Sequence, residues 1–199
     1  GGYQLLTDAT CDDAVSRLRQ RKHRPSKPLA VMAGSLTVAR ELADVDPTEE
    51  EVLSSPANPI VLLKSRRGVL SRYVHPSLNA VGVMLPTTPL HALLCREMGR
   101  PLICTSGNGD GESIAFRNDE AEGALDGICD GWLHHDRPIV RPIDDSVVRV
   151  IAGRPVTIRL ARGLAPLPLD LPAPPEPVVA LGGHLKSALA WSNSRQAVL

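Results

Sequence analysis

Six prolines fall between residues 164 and 177, in the stretch LAPLPLDLPAPPEP. Proline fixes φ and lacks a backbone donor, so this stretch cannot form a helix and is expected to be a stiff, extended connector. It divides the chain into a first domain (residues 1–170), a linker (171–177) and a segment (178–199) whose strand-like alternation indicates the first hairpin of another domain. Both chain ends fall in strand-like patterns, which predicts that the sequence is part of a longer polypeptide.

The first 163 residues mix strand and helix patterns without a strict βαβ rhythm. Apolar runs predict strands at residues 28–33, 59–64, 81–85, 101–106, 146–151 and 154–163. Helices are predicted after the polar cluster at residues 10–13, which can cap a helix, and at 35–45, 46–55, 88–99 and 118–127. Asp46 is the expected cap of the third of these helices, with Pro47 as its first residue. The mixture predicts an α/β (α+β) fold, a twisted mixed sheet flanked by helices.

Composition excludes several classes of protein. Lys and Arg number 22 and so do Asp and Glu, and the chain has only one Phe, two Tyr and two Trp, which disfavours nucleic-acid binding. No signal peptide or membrane-length apolar run is present, so a cytoplasmic protein without membrane association is expected. The four cysteines are far apart and form no C-x-x-C pair, which argues against a zinc knuckle and against disulfides.

A basic cluster stands out against this neutral balance. Residues 17–27 hold six cations and no acid. Lys22 and Arg24 lie where a helix should give way to a strand, at a corner fixed by Pro25 and Pro28. Cations on a rigid corner suit phosphate binding, because little side-chain entropy remains to be lost. The alternative is a solvated helix end.

A polar loop is predicted after the strand at 101–106. Its sequence, TSGNGDGES (residues 105–113), supplies hydroxyl groups and approachable backbone N–H groups, which is the chemistry of an anion nest. The alternative is an ordinary surface loop.

Two further stretches combine arginines with other polar residues. In HHDRPIVRPIDDSVVR (134–149), adjacent His134 and His135 would point to opposite faces of a strand, so a shared metal ion is disfavoured. Acids interleaved with arginines there are expected to form ion pairs that hold a loop. In IRLARG (158–163), Arg159 and Arg162 end a strand directly before the connector, and the alternative is a sheet edge decorated with cations.

Together these stretches resemble the YrdC-like domain, which has the YrdC/RibB-like fold. The matching motifs are KHRPSKPL, TSGN, SVV and IRLARG, in the family's order. Longer matches such as GVMLPTTPLHALL, HDRPIVRPIDDSVVR and RLARGLAPLPL resemble HypF, the carbamoyltransferase family that matures nickel–iron hydrogenases. ALGGHLKSALA resembles the start of that family's last, actin-like domain. Two positions depart from the pattern: Ser113 replaces a usual proline, and His184 replaces a usual acid.

The resemblance implies an adenylating enzyme. ATP and carbamate derived from carbamoyl phosphate would form carbamoyl adenylate, and the full-length enzyme would pass the carbamoyl group to the C-terminal cysteine of the HypE protein for cyanide-ligand synthesis. By the same resemblance, Lys22 and Arg24 are the expected catalytic residues. Thr105, Ser106 and Asn108 would hold the α-phosphate and nucleoside, and Ser146 with Arg159 or Arg162 would close the other side. Mg²⁺ would accompany the triphosphate, and zinc is expected only in the family's preceding region.

Three alternatives stay open. A threonylcarbamoyl-adenylate synthase of tRNA modification shares the fold, although DDSVVR, the connector and the terminal hairpin fit the maturation enzyme better. An antibiotic O-carbamoyltransferase is disfavoured, because its actin-like domain precedes the YrdC-like one. A non-catalytic RNA-binding module would bind RNA at the basic corner, and its affinity for RNA would depend steeply on the salt concentration.

Overall fold

The computed structural model describes residues 1–109, 111–171, 176–183, 188–193 and 195–199. The strands within them are β1 (Gln4–Asp8), β2 (Val31–Met32), β3 (Ala43–Asp44), β4 (Ile60–Ser65), β5 (Ala80–Met84), β6 (Leu102–Ser106), β7 (Val147–Ile151), β8 (Arg154–Arg159), β9 (Pro168–Asp170), β10 (Val179–Leu181), β11 (Leu189–Ser192) and β12 (Gln196–Val198). The helices are α1 (Asp12–Arg21), α2 (Leu36–Leu42), α3 (Pro47–Leu53), α4 (Pro89–Met98) and α5 (Asn118–Ala124).

The larger sheet has the strand order β1-β6-β2-β5-β4-β7-β8, with β3 also paired to β4. The pairs β2–β5 and β4–β7 are parallel, and the remaining pairs of this sheet are antiparallel. The predicted mixed sheet flanked by helices is therefore confirmed. β6, which carries Thr105 and Ser106, lies between β1 and β2.

Alternation along the strands divides the sheet into two faces. Val31, Val61, Val83 and Ile103 belong to the main core cluster, together with the buried apolar side chains of α1 and α2. Their neighbours Met32, Ile60, Met84, Leu102 and Cys104 form a smaller cluster with Cys95 of α4. The second face leads to the cavities described below.

Local sequence signals set most helix ends. Asp46 caps α3 in a capping box with Glu49, and Pro47 begins the helix, as predicted. α4 ends at Gly99, whose φ of 60° is left-handed, also as predicted.

The expected polar cap of α1 is wrong. Cys11 occupies the N-cap position and makes no side-chain capping bond. Thr10, the first residue of the polar cluster, instead donates its N–H and its hydroxyl to the Asp8 carboxylate, in the turn that precedes the helix. Asp12 and Asp13 still lie in the first turn, where carboxylates complement the helix dipole.

A small antiparallel sheet, with the order β10-β11-β12-β9, contains the chain's C-terminal residues. The predicted hairpin corresponds to β10 and β11. The proline-rich stretch was predicted to be only a connector, but its described part forms a strand of this sheet. β9 pairs with β12, and the backbone groups of Leu167 and Leu199 hydrogen-bond to each other. Residues 172–175 and His184 lie outside the described residues, and the domain boundary at residue 170 stays a prediction.

Within the part of the chain that the structure describes, no helix is both long and apolar enough to cross a membrane. The four cysteines are free thiols.

Candidate nucleotide site

The basic cluster divides into residues with different surroundings. Arg17 and Arg21 form exposed ion pairs with Asp130. Arg19 and Lys22 are instead buried, with 6% and 1% of their surfaces exposed. The cluster is therefore neither a uniformly solvated helix end nor a uniform ligand surface.

The turn after α1 directs Lys22 and Arg24 toward the sheet. His23 has a left-handed φ of 52°. The N–H of His23 bonds to Gln20 O, and that of Arg24 bonds to Arg19 O at 2.9 Å. These are the two hydrogen bonds of a Schellman motif, which turns the chain sharply out of the helix. The Arg24 guanidinium then donates to Pro28 O at 2.9 Å within the same turn.

Lys22 joins the basic corner to the polar loop. Its ammonium group donates to Ser106 O at 2.6 Å, to Asn108 O at 2.6 Å and to Asn108 Oδ1 at 2.8 Å. The Ser106 hydroxyl donates to the same Oδ1 at 2.7 Å. The first two predicted stretches therefore meet, and the buried ammonium fixes the loop's conformation.

The loop is closed by Glu112, which the sequence analysis did not single out. Asn108 Nδ2 donates to Glu112 O at 2.6 Å, and the backbone N–H of Gly109 donates to Glu112 Oε2 at 3.0 Å. The N–H groups of Gly107 and Asn108 bond to backbone carbonyls. The backbone N–H of Gly109 therefore already binds an anionic group, the Glu112 carboxylate, and an anion is the kind of ligand expected for this loop. The only sequence signal for Glu112 was an acid within the Gly-rich stretch expected to bind an anion.

A β-bulge aims Arg159 at the site. Val147 pairs with Arg159, but Val148 pairs with Thr157, so Ile158 is an extra residue in β8. A bulge of this kind rotates the side chain that follows it. The Arg159 guanidinium lies 3.9 Å from Asp144 Oδ1, and its buried Nε has no hydrogen-bond acceptor among the described residues.

Arg162 and Ser146 have structural partners. Arg162 donates to Asp145 Oδ1 at 2.7 Å and to Asn58 O at 3.0 Å. The Ser146 hydroxyl is fully buried and accepts the N–H of Ala161 at 2.8 Å. Asp144 and Asp145 are thus paired with arginines of the 158–163 stretch, and among the described residues no ion pair joins them to the interleaved Arg137 or Arg141, which was the expectation. The observed pairs tie the end of β8 to the residues before β7.

Two adjoining cavities of about 450 and 940 Å³ share part of their lining. Residues that line both are Arg24, Ser106, Ile114, Ile143, Asp144 and Arg159. Thr105 lines the smaller cavity, and Lys22 and Asn108 line the larger one. Ser146 and Arg162 are not among the described lining residues of either. The structure therefore brings together six of the eight predicted site residues.

The smaller cavity also contains residues that sequence reasoning missed. Tyr3 lines it, and its hydroxyl group lies 2.6 Å from Asn118 Oδ1 and 2.5 Å from His134 Nδ1. Burial and the Glu122 carboxylate raise the pKa of Tyr3. Cys104 lines the same cavity, and burial raises the pKa of its thiol. A single Tyr directly before β1 and a single Cys within β6 gave no sequence signal of their own.

Comparison with known proteins decides the family. Residues 1–161 match the Sua5/YciO/YrdC family model, which carries the description "Telomere recombination". The chain belongs to the Sua5/YciO/YrdC family. Within that family, it is 48% identical over 199 residues to the carbamoyltransferase HypF of Synechocystis sp., covering 99% of this chain and 26% of that protein. It is 46% identical to the carbamoyltransferase HypF of Rhodobacter capsulatus, covering 100% of this chain and 27% of that protein.

The chain thus spans about a quarter of the length of these two relatives. A shorter relative within the Sua5/YciO/YrdC family is the threonylcarbamoyl-AMP synthase of Xanthomonas euvesicatoria. It is 32% identical over 138 residues, which cover 65% of this chain and 74% of that protein.

Solved structures agree with this assignment. A crystal structure of full-length HypF in a phosphate- and nucleotide-bound form matches with a TM-score of 0.94 and 40% identity, over 100% of this chain and 32% of that one. The P. abyssi Sua5 structure complexed with L-threonine has a TM-score of 0.69 at 23% identity, covering 80% of this chain and 48% of that one. The second match shows the Sua5/YciO/YrdC fold alone.

Proposed function

We propose that this chain forms carbamoyl adenylate from ATP and carbamate. The observation that carries the proposal is the pair Arg24 and Arg159, which line both adjoining cavities and so flank the junction between them. Adenylation needs two reactants to meet at one phosphorus atom, with cations placed around it. The similarity to carbamoyltransferases and to a threonylcarbamoyl-AMP synthase supports the same class of reaction.

In the proposed step, a carbamate oxygen attacks the α-phosphorus of ATP. A new P–O bond forms, the bond to the β-phosphate oxygen breaks, and pyrophosphate leaves. Negative charge builds on the phosphoryl oxygens, where preorganised cations lower the barrier. Arg24 and Arg159 would supply these cations, and the side chains of Thr105 and Ser106 would orient the α-phosphate and the nucleoside.

Lys22 would act mainly through the loop. Its three ammonium hydrogens have three acceptors in Ser106 and Asn108. A direct contact with phosphate would require the exchange of one of these bonds. The positive charge of Lys22 would nevertheless lie beside the larger cavity, which it lines.

We assign Mg²⁺ to the triphosphate rather than to a protein cage. Among the described residues, no group of three or more His, Cys, Asp or Glu is placed to hold a metal ion. Asp144 and Asp145 lie close to Arg159 and Arg162 respectively. When bound with ATP, Mg²⁺ would neutralise charge on the departing pyrophosphate.

The wider role proposed is that of the HypF family. Carbamoyl phosphate would be the source of carbamate, and the carbamoyl group would pass to the C-terminal cysteine of HypE for synthesis of a cyanide ligand in nickel–iron hydrogenases. That transfer would need parts of the longer relatives beyond the quarter spanned here. We therefore expect this chain alone, given carbamoyl phosphate and ATP, to leave the HypE cysteine unmodified.

Exchange of labelled pyrophosphate into ATP tests the adenylation step. Ammonium bicarbonate supplies carbamate in solution, and exchange should depend on it. Arg24→Ala and Arg159→Ala should each lower exchange by at least about tenfold, since a charge-assisted contact contributes about 1.5–3 kcal/mol. Arg17→Ala, which removes an exposed cation paired with Asp130, is the matched control. Absence of carbamate-dependent exchange in the unaltered chain would overturn the proposal.

A second candidate is threonylcarbamoyl-AMP synthesis, which the 32% identity to a synthase over 74% of its length favours. In that case L-threonine would be required together with bicarbonate. Mass spectrometry of the bound or released adenylate separates the two products. A threonine-containing adenylate would replace the first proposal by the second.

A further inference from the structure

We propose that Arg19 is a positioning residue that holds Arg24 at the junction of the two cavities; this inference rests on the proposed function. Arg19 is 6% exposed, so its guanidinium cannot serve as a surface cation. It donates to four backbone carbonyls: Tyr73 O at 2.5 Å, Arg24 O at 2.7 Å, Lys27 O at 3.1 Å and Val74 O at 3.2 Å.

Arg19 holds the main chain of Arg24 from both sides. The N–H of Arg24 donates to Arg19 O at 2.9 Å, and Arg24 O accepts from Arg19 Nη1. The left-handed His23 between them closes the turn. Lys27 O accepts from Arg19 and, at 3.4 Å, from the Nε of Arg24. A change at Arg19 would therefore move both the backbone and the side chain of Arg24.

The same guanidinium also contacts the chain segment that leads into another part of the smaller cavity's lining. Val74 O accepts both from Arg19 and from the N–H of Leu29 at 2.9 Å. A few residues later the chain that contains Val74 provides Leu78, Asn79 and Ala80 to the cavity lining. Leu29 lines the same cavity from the side of the basic turn. Arg19 thus ties together two chain segments that are remote in sequence and that both lead into the lining of the smaller cavity.

Only arginine fits this role. Its donors form a rigid planar fork, whereas the three donors of lysine radiate from one nitrogen and cannot reach both segments in the same way. Among the described residues, no carboxylate lies within 4.0 Å of Arg19. Burial, followed by the charge of Arg24, lowers the pKa of Arg19. A buried cation without a counterion is costly, which argues for a positioning role over a stabilising ion pair.

A double-mutant cycle on ATP binding tests the inference. Arg19→Lys keeps the charge but not the fork, and we expect it to weaken ATP binding by about tenfold, as Arg24→Ala does. Because Arg19 acts through Arg24, the double variant should bind ATP within about twofold of Arg24→Ala alone. Arg17→Lys, on the same helix but exposed, is the control. Unchanged ATP binding in Arg19→Lys, or losses that multiply in the double variant, would overturn the inference.

Two further measurements keep the result interpretable. Calorimetric titration with ATP needs no turnover, so the cycle can succeed even if pyrophosphate exchange fails and adenylation is disproved. Urea unfolding of each variant separates lost affinity from lost folding. If Arg19→Lys does not fold, the cycle is repeated in the His23→Gly background, which we expect to be more stable, and is judged by the same outcomes.

Discussion

The ammonium nitrogen of Lys22 lies 2.6 Å from the carbonyl oxygen of Ser106, across 84 residues of sequence. This contact joins the end of α1 to the loop after β6, the strand between β1 and β2. A buried cation is stable only when its donors are satisfied, and here the acceptors are the loop itself.

Lys22→Met should therefore weaken both the fold and the site. The side chain stays long and apolar, but the loop loses three charge-assisted bonds. We expect the free energy of unfolding to fall by about 2–4 kcal/mol and ATP affinity to fall roughly ten- to hundredfold. Urea denaturation and calorimetry measure the two effects. Lys64→Met, which removes an exposed cation paired with Asp44, should change neither quantity appreciably.

Arg159 and Arg162 should differ in what they support. Arg159→Ala should lower ATP affinity by at least about tenfold, because it removes a cation that lines both cavities. Arg162→Ala should leave affinity within about twofold, since Arg162 lies outside the described lining, but should cost about 1–3 kcal/mol of stability by leaving the half-buried Asp145 unpaired. The reverse pattern, read by the same titration and by urea unfolding, would exchange their assigned roles.

Glu112→Gln should strengthen ATP binding. The Glu112 carboxylate holds the N–H of Gly109 in the larger cavity, where a phosphate oxygen would compete for the same donor. The amide keeps a hydrogen-bond acceptor and removes the like charge, so we expect a gain in affinity of about three- to tenfold. The gain should shrink as salt rises. Weaker binding would mean that Glu112 shapes the loop and does not compete with phosphate.

His23→Gly should stabilise the fold. His23 is exposed and has a φ of 52°, a conformation that costs a non-glycine residue about 1–2 kcal/mol. Glycine removes that strain but gives the unfolded chain more freedom, so a net gain of about 0.5–1 kcal/mol is expected. His23→Ala keeps the strain and is the matched comparison. Equal stability of the two variants in urea would contradict the expectation.

Deleting the residues after Pro177 should leave the thermal midpoint of the remainder nearly unchanged. No described strand of the small sheet pairs with the large sheet, and most residues of β10 and β11 are exposed or half-buried. The segment therefore contributes little apolar burial to the main core. A fall of many degrees in differential scanning calorimetry would show that the segment completes that core.

Local chemistry was the predictable part of this molecule. Asp46, Pro47 and Glu49 define a helix start through groups at most a few residues apart, and Gly99 ends a helix through its own φ. The two stretches later joined by Lys22 could also be recognised separately, as a basic corner and a polar loop.

Long-range placement was not predictable. Whether Lys22 is solvated or buried depends on strand order, which brings a residue of the first helix against β6. The choice between Arg159 and Arg162 depends on the extra residue Ile158, because a shift by one residue exchanges the two faces of a strand. Arg19 looked the same as its neighbours in sequence, and only its burial sets it apart.

The strand order also constrains how the polypeptide can be made. β1 pairs with β6, and β2 lies between β6 and β5, so the first two strands have no partners until residues far downstream exist. During synthesis, β2 can pair only after β5 has been made, and β1 can pair only after β6 has left the ribosome. Loop closure over such separations slows folding and leaves unpaired strand edges exposed in the meantime. We therefore expect nascent chains that end before β6 to depend on chaperones far more than chains that include it.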